Sequence, residues 1–392
     1  MSWIEASLGD LISYIGKGIA PKYTEDASSP NSVLVLGQKC VRNQKIDYSQ
    51  GRYHDKELKV IKPAKIAAKG DILINATGVG SAGRIAQIIH NPQRECVTDG
   101  HVITLRASSR INPYYLGYFI KSKQTVIEQL AEGSTGQTEM NRSRLQNEIL
   151  VTFPESDEDQ RRIAEFGLVI DKKIAQNAQL NGYLEELCEC LAAHESGTKT
   201  EIMQLCSLVS EKVPCNEAVL NTYVSTESLL SDKRGRQRAS SLPRTGKVTV
   251  YRSSDVLISN IRPYFKKIWF ADCDGTCSGD VLVFRAKNPL LAPYLYSILH
   301  ADSFFEFVMK GAKGTKMPRG DKRQMLTYQA ASSPRQDTIA STTILTEQIA
   351  INDRENDKLT ALRDVILPKL MSGEIDVSKI DFTQLNSHLA EY

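Results

Sequence analysis

Nowhere in the 392 residues is there a run of the roughly 20 apolar residues that a membrane-spanning helix requires. The opening Met-Ser-Trp-Ile-Glu-Ala-Ser has no basic stretch and no apolar core of the secretory kind, so a cytoplasmic chain is expected. The eight cysteines form no disulfide framework, and Cys273 and Cys277 lack the second pair of soft ligands that a zinc site needs, so all are read as free thiols. Nor do the six histidines (His54, His90, His101, His194, His300, His388) share a triad or metal spacing, and no paired-carboxylate nuclease signature occurs.

Two local motifs imitate enzymes and fail on context. Gly78-Val79-Gly80-Ser81-Ala82-Gly83 fits a dinucleotide-binding fingerprint, which must open a helix whose N-terminus faces the pyrophosphate. Here Arg84 to His90 reads as a second strand, so the glycines mark a loop between strands. Asn112-Pro113-Tyr114-Tyr115 approaches the Asn-Pro-Pro-Tyr of adenine methyltransferases but lacks the second proline, and no glycine-rich methyl-donor motif lies upstream. A helix cap accounts for it, as it does for Asn288-Pro289. The chain is read as having no catalytic residues, no metal and no cofactor of its own.

What is present is a duplication. Gly70-Asp71-Ile72-Leu73-Ile74 recurs as Ser254-Asp255-Val256-Leu257-Ile258, and Asp99 to Ala107 recurs as Gly279 to Ala286. Tyr115-Leu116, the loop Gly133 to Thr138 and Gln160 to Ile163 return as Tyr294-Leu295, Gly311 to Lys316 and Gln336 to Ile339. The offset drifts only from 184 to 175 residues, too little for chance. In each half, short β-branched runs (33–36, 72–74 and 101–105; 248–251, 256–259 and 281–284) predict strands. A helix follows near 113–131 and again near 289–310.

A long helix closes each half. In the first, Ile163, Phe166, Ile170, Ile174, Asn177, Asn181, Leu184, Cys188 and Leu191 recur in steps of three and four; in the second, Leu345, Ile349, Asn352, Asn356, Leu359, Leu362 and Ile366 do the same. That is the period of a narrow coiled-coil seam, and each seam needs a partner, most simply the other. The Asn pairs are expected to be buried and to fix register. A helix over 160–192 spans about 50 Å at 1.5 Å per residue, enough for a strut.

Charge alternates with this plan. Residues 1–155 carry 19 Lys and Arg against 15 Asp and Glu, 156–204 carry 5 against 10, 205–333 carry 19 against 11, and 334–392 carry 6 against 10. Basic globular parts and acidic helices suit a protein that meets phosphates through the former. The second half concentrates cations among aromatics: Arg234 and Arg236, then Arg262, Tyr264, Lys266 and Lys267, then Lys313, Thr315, Lys316 and Arg319. The first offers Thr77, Arg84, Gly136, Gln137, Thr138, Asn141, Arg142 and Arg144, which include the Gln, Asn and Arg side chains that pair bidentately with adenine and guanine. Double-stranded DNA is the expected ligand.

Taken in order, these blocks resemble the specificity (S) subunits of type I restriction–modification systems over nearly the whole chain. The resemblance rests on 70–74, 133–142, Pro154, Gln160 and Ile163, and Asn177 to Leu184; on the second copy at 254–258, 311–319, Pro334, Gln336 and Ile339, and Asn352 to Leu359; and on the ending Leu367 to Ile375. It implies an α+β fold, with two pseudo-repeated α/β target-recognition domains (1–155 and 197–333) separated by two long antiparallel coiled-coil helices (156–196 and 334–380), and a tail at 381–392. It also implies an asymmetric bipartite DNA target, docking of two methyltransferase subunits that bring S-adenosylmethionine, and motor–nuclease subunits that use ATP and Mg. A stand-alone, repressor-like DNA binder of the same architecture is the alternative.

Overall fold

The structure is a computed structural model and describes residues 2–78, 80–132 and 139–380. Helix and strand are mixed throughout. The chain divides into two compact units, residues 1–173 with 358–392 and residues 174–357, so each unit holds one globular part and the adjoining ends of both long helices.

In the first unit an inner sheet runs in the order Ile12–Lys17, Val102–Ala107, Ile72–Asn75, Ile85–Gln87, every pair antiparallel. The second unit repeats that order with Cys206–Leu208, Val281–Ala286, Val256–Ser259 and Ile268–Phe270. All four residues of Ile72–Asn75 and of Val256–Ser259 are buried, so this sheet is covered on both faces. The twofold alternation of a strand divides its side chains between two cores. Val256, Ile258, Leu282 and Phe284 pack with the helices, and Leu257, Val281 and Val283, with Trp269 of the same sheet, pack against Tyr251 of an outer sheet.

Both copies brace the central strand in one way. Gly70 and Ser254 take a left-handed turn (φ 93° and 70°) that lets the strand begin abruptly. Asp71 and Asp255 are then buried and gripped bidentately by Arg106 (2.8 and 2.7 Å) and Arg285 (2.9 and 2.6 Å). Each carboxylate also accepts a backbone N–H, from Ala68 and Arg252.

The turn at Gly78 to Gly83 joins antiparallel strands and opens no helix. Asn112 and Asn288 cap the segments that follow them. The helix predicted over 113–131 is two, Pro113–Ser122 and Gln124–Gln129, because Lys123 leaves helical ψ. That predicted over 289–310 is a single turn, Pro289–Leu291, followed by Ala292–His300 and Asp302–Lys310, with Ala301 extended between them.

The long helices are Asp157–Ala193 and Gln336–Met371. Within the second unit they run antiparallel, for as the first advances from Asn177 to Asn181 its partners retreat from Asn356 to Asn352. Asn177 donates to Asn356 Oδ1 (3.0 Å) and Glu355 (2.6 Å). Asn352 donates to Asn181 Oδ1 (2.7 Å), and Asn181 to Asp353 (2.8 Å). Ile174, Asn177, Asn181, Ile349 and Asn352 are buried, while Leu184, Leu345 and Asn356 are half-buried. The sequence passed over Thr338, Thr342 and Thr346, which are among the most buried positions of the second helix. Thr342 and Thr346 satisfy their hydroxyls on the carbonyl four residues back and so present methyl groups to the seam. Glu195, just past the first helix, accepts the Arg335 N–H at the start of the second and the Thr338 hydroxyl.

Within the first unit Ile163, Phe166, Ile170 and Leu359 are buried, whereas Leu362 is exposed. Arg363 pairs with Asp171 at 2.5 Å, and Tyr118 donates to the same carboxylate at 2.7 Å. All eight cysteines are free, and among the described residues no helix is long and apolar enough to cross a membrane.

Candidate nucleic-acid interface

In each unit the loops at one end of the inner sheet converge. The segment leaving the central strand is bridged to the segment that leads into a short helix: Thr77 to Glu139 in the first unit, Ile261 to Arg319 in the second. The turn before Val102–Ala107, or before Val281–Ala286, joins them, since Ala76 N–H donates to His101 O at 2.7 Å and Asn260 N–H to Asp280 O at 2.8 Å. Both clusters are therefore built from the same three segments.

In the first cluster Thr77 Oγ1 lies 3.0 Å from His101 Nδ1. Arg84 donates to Gly80 O at 2.7 Å, across the glycine-rich turn. Glu139 pairs with Lys17, whose hydrogen bond holds its carboxyl below the usual carboxylate range. Asn141, read from sequence as a base-edge group, uses its Oδ1 to cap the helix Arg142–Glu148, accepting from Ser143 (3.0 Å) and Arg144 (3.3 Å). Asp321 does the same for Lys322–Leu326. Arg142 is exposed, and Arg144 binds Glu148 at 2.6 Å. Gly136, Gln137 and Thr138 lie outside the described residues.

In the second cluster a hairpin closes through mutual backbone bonds between Lys313 and Arg319 (both 2.9 Å), with Gly314 in the left-handed region (φ 100°). Thr315 and Lys316 are exposed at its tip. Lys313 reaches Asp321 (3.1 Å) and Arg319 reaches Asp280 (3.0 Å). Arg236 stacks on Trp269, 4.5 Å from the ring centre, and Arg234 is largely exposed. Arg262 N–H donates to Pro318 O at 2.7 Å, and Tyr264 is exposed beside it.

Two lysines of the basic run turn inward. Lys266 binds Asp302 at 3.0 Å, and Lys267 donates to Thr226 O at 2.5 Å, with burial holding its ammonium below the ordinary lysine value. Lys233, which sequence displays as part of a cationic patch, bridges Glu189 (2.8 Å) and Asp302 (2.7 Å). Burial alone would lower its pKa, and these two partners outweigh burial and raise it. Glu189 also holds His300 at 2.6 Å.

No protein-family model matches the chain, and no curated protein does. Among solved structures, the type I restriction–modification S subunit from M. genitalium superposes with a TM-score of 0.52 at 15% identity, covering 94% of this chain and 96% of that one. The HsdS subunit from Thermoanaerobacter tengcongensis gives 0.35 at 15% identity, over 95% and 97%. A chain from a study of complex assembly and conformational transition in the type I system gives 0.39 at 14% identity, over 95% and 98%. At such identities the first likeness speaks for the fold: this chain has the architecture of a type I restriction–modification S subunit.

Proposed function

We propose that the chain is the sequence-specific DNA-binding specificity subunit of a type I restriction–modification complex, and is itself not an enzyme. Each globular part, 1–155 and 197–333, reads one half of an asymmetric bipartite target in double-stranded DNA. The helices of 156–196 and 334–380 set the unread gap and dock two methyltransferase subunits; motor–nuclease subunits join to restrict unmodified DNA. S-adenosylmethionine, ATP and Mg act on those partners.

The observation that carries this reading is one frame built twice, with two dissimilar loop clusters at the same end of its inner sheet. Cationic side chains there supply salt-dependent affinity, and each good base-edge contact supplies about 1–3 kcal/mol of discrimination. Candidates for direct contact are Thr77, Arg84, Gly136, Gln137, Thr138, Arg142, Arg144, Arg234, Arg236, Arg262, Tyr264, Lys313, Thr315, Lys316 and Arg319. Lys266 and Lys267 act by shaping the turn that carries Tyr264. A 37-residue helix is about 55 Å long, ample for half-sites about 34 Å apart, one turn of the duplex.

Sequencing of methylated DNA from cells carrying this subunit with its partners should return one motif of two unlike halves around a constant gap. Inserting a heptad in both helices should lengthen that gap and leave the halves unchanged. A continuous motif, or a gap that ignores the insertion, contradicts the assignment.

A further inference from the structure

The second cluster holds an aromatic pair that its surroundings keep out of the core. Pro263–Phe265 forms a single helical turn, and the residue on either side, Arg262 (φ 50°, ψ 65°) and Lys266 (φ 47°, ψ 46°), lies in the left-handed region. Side chains with a Cβ occupy that region seldom and at a cost, so two in five residues require a frame that imposes them. The frame is visible. Asp232 N–H donates to Phe265 O (2.8 Å), Lys233 N–H to Lys266 O (3.0 Å), and Arg262 N–H to Pro318 O (2.7 Å). Below the turn Asp302 clamps Lys233 and Lys266, and Lys267 is tied to Thr226.

This mount displays Tyr264 and Phe265, 47% and 37% exposed, with ring centres 4.6 Å apart. Met317, 49% exposed, sits on the neighbouring hairpin between Lys316 and Arg319. Rigid apolar faces set among cations match a ligand that is anionic outside and flat and apolar within, which is the chemistry of stacked bases on a phosphate backbone. The matching turn of the first unit offers Gly78, Gly80, Ser81, Ala82 and Gly83, with no ring.

We propose that Tyr264 and Phe265 are a wedge that enters one base step of the half-site read by the second unit and unstacks it, leaving the other half-site undistorted. This rests on the DNA-reading function proposed above. The test uses the full chain and duplexes carrying its methylation motif, with 2-aminopurine placed at each position in turn. The expected result is a fluorescence rise at one step in one half-site. In the double variant Tyr264→Ala, Phe265→Ala the rise is lost and affinity falls about tenfold, with the unfolding transition unchanged; Tyr264→Phe retains both. No rise at any position on a bound target, or a rise that survives the double variant, overturns the wedge. So does a double variant that distorts DNA normally but no longer captures methyltransferase subunits, which would make the rings a protein contact. Equal affinity for target and scrambled duplexes is a separate result, and it removes the DNA-reading function itself.

Discussion

The two units share a frame and differ in what the frame displays. Strand order in the inner sheet, the buried Asp–Arg grip and the cap on the short helix after the loop are the same in both. The outer sheets keep one parallel pair, Ser32–Leu36 with Cys96–Thr98 and Tyr223–Val224 with Gly275–Cys277. They then grow on opposite sides: the first adds Arg52–Asp55 and Tyr23–Thr24 beyond Ser32–Leu36, and the second adds Lys247–Tyr251 and Lys212–Pro214 beyond Gly275–Cys277. At the bridge between loops, Glu139 with Lys17 in one unit corresponds to Arg319 with Asp280 in the other, a reversal of charge at one structural position. Packing therefore constrains the frame, while the loop cluster is free to vary.

That separation is testable at its strongest shared feature. Asp255→Ala and Asp71→Ala each strip a buried carboxylate from an arginine and from a backbone N–H. The arginines are roughly a third exposed, so the loss falls below that of a fully buried pair, at about 2–3 kcal/mol in urea unfolding. Similar losses in the two variants support equivalent frames, and a neutral result for one breaks the equivalence.

A smaller effect separates the units along the helices. In the first, Asp171 is neutralised by Arg363. In the second, burial above all, then Glu185, Asp272 and Asp357, push the Asp353 carboxyl from 3.8 to about 7, against the hydrogen bond from Asn181. The native state then holds a proton that the unfolded chain releases, so this stabilisation is complete below about pH 4 and lost as pH rises through 7. Asp353→Asn keeps the Oδ1 acceptor and removes the ionisation. It should raise stability at pH 8 by on the order of 1–2 kcal/mol and leave pH 4 nearly unchanged, by thermal unfolding at both. An equal effect at both values would remove Asp353 from the account.

The duplication, the buried strands and the Asn caps were legible because short-range chemistry specifies them: twofold alternation, a cap two or three residues ahead of the N–H donors it accepts from, a seam with a fixed step. The polar pairing of Asn177 and Asn181 with Asn356 and Asn352 was legible for the same reason. What stayed hidden depends on distant partners. Lys233 and Lys266 look like surface cations until Asp302 arrives from elsewhere in the chain, and Lys267 until Thr226 does. Thr342 and Thr346 look polar until the helix absorbs their hydroxyls, and Thr338 until Glu195 accepts its own. Asn141 carries a nearer signal as well: an Asn ahead of a short helix caps it, and its Oδ1 is committed to Ser143 and Arg144. Glu195 gives no sequence signal, since its value lies in meeting the start of a helix 140 residues away.

The most direct test exchanges residues 205–333 for the matching segment of a type I S subunit of known target and sequences the methylated DNA of cells carrying the hybrid with the proposed partners. One half-site should change to that of the donor, with the other half-site and the gap retained. A change in both half-sites would contradict two independent readers on a common frame.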